Sequence, residues 1–424
     1  MKKIKIGMIG LGTVGSGVFK TLSDFENIEV VKIAVKNLKK QRNLPKLNEA
    51  ILTDNPYEVV KHPDIDIIVE VVGGIEPAFD LIKTAILNGK HVVTANKELL
   101  AKHGEELFNF AEEHNKVVLY EAAIAGGIPI IMPIKTILAG NKITKIAGIL
   151  NGTTNYILTK MDVQGASYES VLKEAQELGY AETDPTGDVE GFDAAYKLAT
   201  LATIAFNKRI NIKNIYREGI SKIQAEDMIF ANDFGYKIKL IALAKLDEKG
   251  NADVRVHPML VGKSKSLAHI DYVTNAVEIT GHPVGEIMLS GPGAGEYPTA
   301  SSVVGDVLAI ATEIGKTDYL LPMMRCHHHE TANMLNISDT YNKYYLSVNV
   351  KNNFGVIAAM GSVFAKNNIS ISTLLQKGLK SDNTANIIVI TEKCLEKDMQ
   401  NAIKAFEKDT CINKINSLIR VMEG

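Results

Sequence analysis

The sequence predicts an α/β protein with three parts: a doubly wound parallel sheet, an α+β part with an open sheet, and a small C-terminal βαββαβ module. Two observations carry this prediction. Near the start of the chain, continuous apolar runs alternate with helix-forming segments, which is typical of a parallel sheet covered by helices. After residue 344 the pattern changes to short strands and two helices in the order of that module.

The composition narrows the class of protein. The 424 residues contain 47 basic and 49 acidic side chains, a formal net charge of −2, which does not favour nucleic acid or an anionic membrane as the main partner. Cys326, Cys394 and Cys411 are odd in number and lack a motif spacing, so we expect a cytoplasmic protein without a disulfide framework. The first apolar run is broken by Lys5 and Gly7, unlike a signal peptide. No uncharged apolar stretch has the length of a membrane span.

A glycine-rich turn directly follows the first predicted strand. The strand is Ile4–Ile9, the turn has the pattern GxGxxG, and a helix follows to about Ser23. This pattern is weak alone, but between a strand and a helix the glycines permit close backbone approach and the helix N-terminus attracts a pyrophosphate. The sequence therefore predicts a dinucleotide site that contains Gly10, Gly12, Thr13, Val14 and Gly15.

The end of the second predicted strand, Ile28–Val35, bears on the choice of cofactor. An Asp or Glu usually binds the ribose of NAD at this position. This chain instead has Lys36 and Asn37, followed by Lys39, Lys40 and Arg42. Because no carboxylate repels a 2′-phosphate, we expect NADP rather than NAD. The alternative is that these cations form an ordinary solvated loop.

Two further predicted strands end in polar residues. Asp66–Val72 contains Glu70 and precedes two glycines, and His91–Thr94 leads into Asn96 and Lys97. Ligands bind outside the carboxyl ends of parallel strands, so we expect Thr94, Asn96 and Lys97 at the site. For Lys97, solvation at the start of a helix is the alternative.

The segment Ala175–Lys197, AQELGYAETDPTGDVEGFDAAYK, is dense in polar residues. A helix capped by Ser167 is expected to stop at Gly179, which supplies a left-handed conformation. The polar loop that follows contains Glu182, Asp184 and Asp188.

A second helix is predicted over about Val189–Phe206, with Asp188 as its cap. On it, Glu190, Asp193 and Lys197 share one face. Their neighbours are small or apolar, and a lysine in such surroundings is costly unless it meets a carboxylate or lines a wet cleft. The alternative is a surface ion pair one helical turn apart.

The spacing A-x3-G-Y-A-E-x-D-P-x2-D-V-x-G-x-D-x3-K within Ala175–Lys197 resembles the signature of homoserine dehydrogenases. The segments Thr94–Lys97 (TANK) and Asn151–Leu158 (NGTTNYIL) are similar to other motifs of that family. The resemblance implies reversible hydride transfer between C4 of a nicotinamide and the aldehyde carbon of L-aspartate 4-semialdehyde. The product, L-homoserine, belongs to the biosynthesis of threonine, methionine and isoleucine.

The resemblance also implies roles for individual residues. Lys197 would stabilise and protonate the developing alkoxide, with Lys97 as the second cation. Asp193 and Glu182 would bind the substrate's α-ammonium, while Asp184 and Asp188 would shape the loop. The residues expected beside the cofactor, in addition to the glycine-rich turn, are Lys36, Thr94, Lys97, Gly179 and Gly295.

The segment Glu121–Ile130, EAAIAGGIPI, follows the predicted strand Val117–Tyr120. From the residues alone it is a turn, although carbonyls beside a carboxylate suit a hard cation. The segment resembles the family's loop for a structural sodium or potassium ion. The resemblance implies oxygen ligands, mainly from the main chain, at Glu121, Ile124, Gly126 and Ile128.

The expected domains are 1–130 with about 294–325 for the dinucleotide, 131–293 for the substrate and dimerisation, 326–344 as a linker, and 345–424 as a regulatory module. The return to the first domain rests on the glycine cluster Gly291–Gly295, which precedes a predicted helix at Thr299–Ile314; an ordinary connecting turn is the alternative. The run Cys326–Glu330 suggests a metal site, but adjacent histidines cannot all face one ion on a regular element, so we interpret it as linker.

The C-terminal module resembles an ACT domain. Its predicted elements are Tyr345–Val350, Gly355–Asn367, Ser370–Gln376, Ala385–Thr391, Leu395–Glu407 and Ile415–Val421. Phe354 stands before Gly355 where the family turn has proline. The resemblance implies an amino-acid effector, threonine by analogy, and a homo-oligomer, dimer or tetramer, in which these modules pair.

Two other functions are compatible with the sequence. One is a nicotinamide dehydrogenase of another amino-semialdehyde or amino alcohol. The other is a non-catalytic sensor of nucleotide and amino acid. The presence of Lys97, Asp193 and Lys197 favours an enzyme, because a sensor does not need them.

Overall fold

The computed structural model describes residues 3–314, 328, 330–377 and 383–423, which excludes Cys326, His327 and His329 of the predicted linker. The chain forms two compact units. The first contains Met1–Ile146, Tyr196–Lys213 and Thr274–Ala332, and the second contains Ala147–Ala195, Asn214–Val273 and Asn333–Gly424. Within the described residues, no helix has both the length and the apolar character needed to cross a bilayer.

In chain order, the strands are β1 (Ile4–Ile9), β2 (Ile28–Ala34), β3 (Leu52–Thr53), β4 (Ile67–Glu70), β5 (His91–Thr94), β6 (Val118–Leu119), β7 (Lys142–Ile149), β8 (Tyr216–Arg217), β9 (Tyr236–Leu246), β10 (Ala252–Gly262), β11 (Thr274–His282), β12 (Gly285–Pro292), β13 (Tyr341–Lys351), β14 (Ile371–Lys377), β15 (Thr384–Thr391), β16 (Cys394–Leu395) and β17 (Ile412–Val421).

The α-helices are α1 (Thr13–Leu22), α2 (Pro56–Val60), α3 (Ala78–Leu87), α4 (Lys97–Glu113), α5 (Ala122–Ala125), α6 (Ile131–Lys135), α7 (Gly152–Gln164), α8 (Tyr168–Glu177), α9 (Thr186–Val189), α10 (Phe192–Phe206), α11 (Ala225–Asp233), α12 (Glu296–Glu313), α13 (Val356–Lys366) and α14 (Glu396–Phe406).

The first unit contains the parallel sheet that the sequence predicts. Its strand order is β3-β2-β1-β4-β5-β6, and each neighbouring pair is parallel. This is the order of a Rossmann-type sheet, in which the direction of strand addition reverses between β1 and β4. Every residue of β4 and β5 is buried. The carboxyl ends of β1 and β4 therefore lie side by side, where such sheets bind nucleotides.

Helix α12 packs against α1 within the first unit. A β-carbon on Gly17 would lie 2.7 Å from the main-chain oxygen of Glu296, so the two helices approach too closely for a larger residue. The Nζ atom of Lys20 lies 2.7 Å from Glu296 Oε1. The chain thus returns to the helix of the glycine-rich turn, with Glu296 lying 276 positions after Lys20.

One predicted helix is two helices in the structure. The sequence predicted a single helix over Val189–Phe206 with Asp188 as its cap, and this prediction was wrong. Gly191 has φ = +77°, a left-handed conformation that a β-carbon disfavours, and it separates α9 from α10. Consequently Asp188 lies within α9, and Glu190 does not share a helix face with Asp193. The other two predicted termini are confirmed: Ser167 caps α8, and Gly179 follows it with φ = +76°.

The C-terminal segment forms an antiparallel sheet in the order β17-β13-β15-β14. Helices α13 and α14 contribute to one buried core with β13 and β15, and the rings of Phe364 and Phe406 lie 5.1 Å apart, edge to face. In addition β17 pairs in parallel with β10, where Arg420 opposes Met259. The C-terminal segment therefore belongs to the mixed sheet of the second unit.

A buried arginine lies where β17 meets β10. Arg420 is 1% exposed, and its Nε and Nη2 donate to the two carboxylate oxygens of Glu396 at 2.8 and 2.6 Å. Its Nη1 donates to Glu218 at 3.0 Å, and its Nη2 also donates to the Tyr216 hydroxyl at 3.2 Å. Burial by itself would raise the pKa of Glu396, but the bonds and charge of Arg420 hold that pKa below its ordinary value.

Removal of this arginine should destabilise the protein strongly. In Arg420→Met the carboxylate of Glu396, 2% exposed, loses its ionic partner, and we expect a cost of about 3–5 kcal/mol in the free energy of unfolding. Urea unfolding followed by circular dichroism measures it. The matched control is Lys343→Met, which breaks the exposed pair with Glu392 and should cost about 0–1 kcal/mol. Equal costs in both variants would contradict the structural role of Arg420.

Candidate active site

The glycine-rich turn has the geometry of a phosphate site. Gly10 has φ = +105°, and a β-carbon on Gly15 would lie 2.4 Å from the Gly10 oxygen, so both positions require glycine. A β-carbon on Gly12 would meet no described atom within 4 Å, apart from those of Gly12 itself and its two neighbours in the chain. The open space above Gly12, directly before Thr13 and Val14 at the start of α1, leaves room for a pyrophosphate at a helix N-terminus.

Hydrogen bonds join the turn after β4 to the turn after β5. The carboxylate of Glu70 accepts hydrogen bonds from Val72 N at 2.9 Å and from the Thr94 hydroxyl at 2.6 Å, so its partners lie at the end of the sheet. Asn96 donates to Gly74 O at 2.5 Å and caps α4. Thr94 is fully buried and supports this end of the sheet from inside the protein. Lys97, the first residue of α4, is half-buried at the same edge.

The loop after β2 is cationic and closed by an arginine. Lys36, Lys39 and Lys40 are exposed. The guanidinium of Arg42 donates to the main-chain oxygens of Asn37 and Lys40, both at 2.8 Å. Arg42 therefore shapes the loop, whereas the lysines face solvent.

Helices α4 and α10 are neighbours in the first unit. The Nζ atom of Lys102 on α4 lies 5.6 Å from the ring centre of Tyr196 on α10, and Arg209, after α10, pairs with Glu105 on α4 at 3.1 Å. Lys197 follows Tyr196 directly and is 8% exposed. This burial excludes the alternative of a solvent-exposed ion pair for Lys197.

In the second unit, Asn151 brings two predicted acids together. Its Nδ2 donates to Asp188 Oδ1 at 2.7 Å and to Asp193 Oδ2 at 3.0 Å. Asn151 and Asp193 are buried. Asn151 was not predicted to be a site residue, although it begins the NGTTNYIL motif. The pattern that could have identified Asn151 is its position between the end of a strand and the start of a helix. A similar position drew attention to Lys97.

The other members of the polar loop lie at the surface. Glu182 and Gly179 are exposed. Asp184 accepts a hydrogen bond from Thr186 N at 3.1 Å, and its bonds to Thr186 lower the pKa of its carboxyl group. Asp184 therefore shapes the loop locally, in the way that the resemblance implied.

A segment that we call the strap, Tyr216–Ser221, supports the turn between α9 and α10. Ile220 N donates to Val189 O at 2.9 Å, and the Ser221 hydroxyl donates to Glu190 Oε1 at 2.8 Å. The guanidinium carbon of Arg217 lies 3.4 Å from the ring centre of Phe192. None of these strap residues was predicted from sequence, because contacts between distant segments leave no local pattern. The contacts of the strap fix the position of the residues that directly precede Asp193.

The proposed cation loop is a buried corner of the first unit. The carboxylate of Glu121 accepts backbone hydrogen bonds from Ile130, Ile131 and Met132, and burial raises the pKa of this carboxyl group. The oxygen of Gly126 accepts from the Ser302 hydroxyl at 2.6 Å. The described part of the chain contains no group of three His, Cys, Asp or Glu side chains arranged for a metal. Any ion here would therefore rely on main-chain oxygens, and the predicted ligands Ile124 and Ile128 are buried in this corner.

Gly295 lies at the start of α12 with φ = +120°. Because α12 packs on α1, Gly295 belongs to the unit of the glycine-rich turn. Gly179, by contrast, belongs to the second unit.

Comparison with known proteins identifies the family. The homoserine dehydrogenase family model matches residues 129–308, and the model of the homoserine dehydrogenase NAD-binding domain matches residues 10–121. The homoserine dehydrogenase of Neisseria gonorrhoeae is 40% identical over 431 residues, which are 99% of each chain. This chain belongs to the homoserine dehydrogenase family. It is therefore an oxidoreductase with a domain that binds a nicotinamide cofactor.

Solved homoserine dehydrogenases share the fold. The enzyme from Thiobacillus denitrificans is 40% identical with a TM-score of 0.92, and the match covers 100% of this chain and 99% of that one. A hyperthermophilic archaeal homoserine dehydrogenase in complex with NADPH is 28% identical with a TM-score of 0.63, over 74% of this chain and 98% of its own.

Proposed function

We propose that this homoserine dehydrogenase interconverts L-homoserine and L-aspartate 4-semialdehyde with Lys197 as the proton donor. The observation that carries the proposal is the burial of Lys197, 8% exposed, on the helix that also bears Asp193. A bound nicotinamide supplies or accepts the hydride. Lys197 stabilises the negative charge that develops on the carbonyl oxygen during reduction and gives that oxygen its proton. In the oxidative direction it takes the hydroxyl proton.

The remaining polar residues bind and orient the substrate. Lys97 is the second cation at the reacting oxygen. Asp193 and Glu182 bind the α-ammonium, which an acidic pair attracts. Acting on another amino-semialdehyde is the alternative within the same class of reaction, and no observation favours it.

The first test of the proposal is Lys197→Ala. Loss of the proton donor should lower kcat for NADP-dependent L-homoserine oxidation by roughly 10² to 10⁴ and leave the Kd of NADP near that of the parent. The control is Lys173→Ala, which removes a lysine whose side chain is 78% exposed and should not change kcat. Unimpaired turnover in Lys197→Ala, or no turnover of L-homoserine by the parent, would refute the assignment.

We further propose that the cofactor is NADP. Support comes from the absence of a carboxylate at the end of β2, from the exposed Lys36, and from the cationic loop that Arg42 closes. An archaeal relative binds NADPH. We expect the ammonium of Lys36 to attract a 2′-phosphate, because the end of β2 has no acid of the kind that binds the ribose in NAD-specific sites.

The cofactor proposal predicts the effect of Lys36→Glu. A carboxylate at this position repels the 2′-phosphate, so the ratio of kcat/KM with NADP to kcat/KM with NAD should fall at least about tenfold. Lys61→Glu makes the same charge change at another exposed lysine of the first unit and should leave the ratio unchanged. Equal kcat/KM with both cofactors in the parent and in Lys36→Glu would contradict the proposal.

For the corner Glu121–Ile128 we propose a structural sodium or potassium ion. The chemistry of the site supports main-chain ligation, because the carboxylate of Glu121 is occupied by three backbone N–H groups. Glu121, Ile124, Gly126 and Ile128 would each contribute a carbonyl oxygen. Such an ion would stabilise the corner and take no part in hydride transfer.

We propose that residues 345–424 are an ACT-type regulatory module that binds an amino acid. Support comes from the βαββαβ order, from the sheet order β17-β13-β15-β14, and from a cavity of about 280 Å³ beside the turn before α13. Asn352, Asn353 and Gly355 line this cavity, and Gly355 caps α13. The helix N-terminus suits a carboxylate. Phe354 is fully exposed and does not line the cavity.

The same module supports the proposal of a homo-oligomer, dimer or tetramer. Strand β14 is at the edge of its sheet, and exposed apolar residues, Phe354, Ile357 and Ile371, lie on this module. Open strand edges and apolar residues of this kind are commonly covered by a second copy of the chain. We propose that paired modules cover them.

The effector proposal predicts inhibition by millimolar L-threonine. In Asn353→Asp a carboxylate beside the cavity repels the effector's carboxylate, so the inhibitory concentration should rise about tenfold or more while the uninhibited kcat/KM stays unchanged. Asn367→Asp, the same change at the other end of α13, is the control and should not alter inhibition. A parent enzyme that is indifferent to threonine and to other aspartate-derived amino acids would contradict an effector role.

A further inference from the structure

The amide of Asn151 has a fixed orientation. Its Oδ1 accepts hydrogen bonds from Thr154 N at 2.9 Å and from the Thr154 hydroxyl at 3.0 Å, at the start of α7. Because a backbone N–H can only donate, the atom that faces Thr154 must be the oxygen. The NH2 group therefore faces the other way, where it donates to Asp188 and Asp193.

The two carboxylates converge on one nitrogen atom. Asp188 Oδ1 lies 2.7 Å and Asp193 Oδ2 lies 3.0 Å from Asn151 Nδ2, so the two acids are close to each other. Two carboxylates at short range repel each other, whereas a hydrogen bond donated to each of them offsets that repulsion. A neutral amide with two N–H donors offers one to each carboxylate and adds no charge.

The acids come from different elements. Asp188 is in α9 and Asp193 is in α10, and Gly191 bends the chain between them. Helix geometry therefore does not set the distance between the two carboxylates. A side chain that bonds to both carboxylates can set this distance. Asn151 makes both bonds, and its own position is fixed at the start of α7.

We propose that Asn151 is a positioning residue that holds the carboxyl groups of Asp188 and Asp193 together for the substrate's α-ammonium. This inference rests on the proposed function, and it assigns Asp188 to substrate recognition in addition to the shape of the loop. Asn151 acts through the two carboxylates and does not itself touch the reacting atoms. Its contribution is therefore to substrate binding and not to hydride transfer.

The test is Asn151→Asp. An aspartate keeps the oxygen that caps α7 but replaces two donors with a third negative charge. We expect the KM of L-homoserine to rise about tenfold or more, since hydrogen bonds to charged groups are worth at least that factor. The kcat at saturation and the KM of NADP should stay within a few-fold of the parent.

Two companion variants separate positioning from folding. Asn336→Asp makes the same change at another helix-capping asparagine, which is exposed and accepts from Ser338 N, and it should leave all constants unchanged. Asn151→Ser keeps a capping oxygen, adds no charge and is too short to reach both carboxylates. It should raise the KM of L-homoserine.

An unchanged KM for L-homoserine in Asn151→Ser, or in a folded Asn151→Asp, would overturn the inference. So would a loss confined to kcat. If the parent does not oxidise L-homoserine, both the proposed function and this inference fail. If the parent oxidises L-homoserine normally and the variants match it, the inference alone fails.

Discussion

The second unit depends on the almost complete burial of one guanidinium group. Removing an arginine from water is costly, and the cost is offset when its N–H groups are bonded to carboxylates in good geometry. Arg420 meets this condition through two bonds to Glu396 and a further bond to Glu218. Because Arg420 is on β17 and Glu218 is in the strap, this cluster joins the last strand of the chain to a segment 200 residues earlier.

The strap also bonds to the segment Ala175–Lys197, which contains the family signature. On one side Tyr216 and Glu218 bind Arg420, and on the other Ile220 and Ser221 bind the backbone and side chain that precede Asp193. Gly219 fits between them because a β-carbon there would lie 2.5 Å from Val189 O. The C-terminal segment therefore contributes to the shape of Ala175–Lys197 through the strap, which bonds to both, independently of any ligand that it binds.

The sequence by itself determined the parallel sheet, the glycine-rich turn, the order of the C-terminal elements and the helix end at Gly179. These follow from local rules: apolar runs of strand length, glycines that permit unusual backbone angles, and helix periodicity. The break at Gly191 was missed because glycine is compatible with both a continued helix and a bend, and contacts with the strap decide between them.

Only the tertiary structure decided the roles of Asn151 and Arg420. In the sequence alone, an asparagine at a strand end looks like an ordinary helix cap. An arginine in a C-terminal strand likewise looks like an ordinary surface charge. Asn151 meets Asp188 and Asp193 across 37 and 42 positions, and Arg420 meets Glu218 across 202. The energy of such contacts depends on burial and on the position of the partner, which the packing of distant segments sets and a local pattern does not encode.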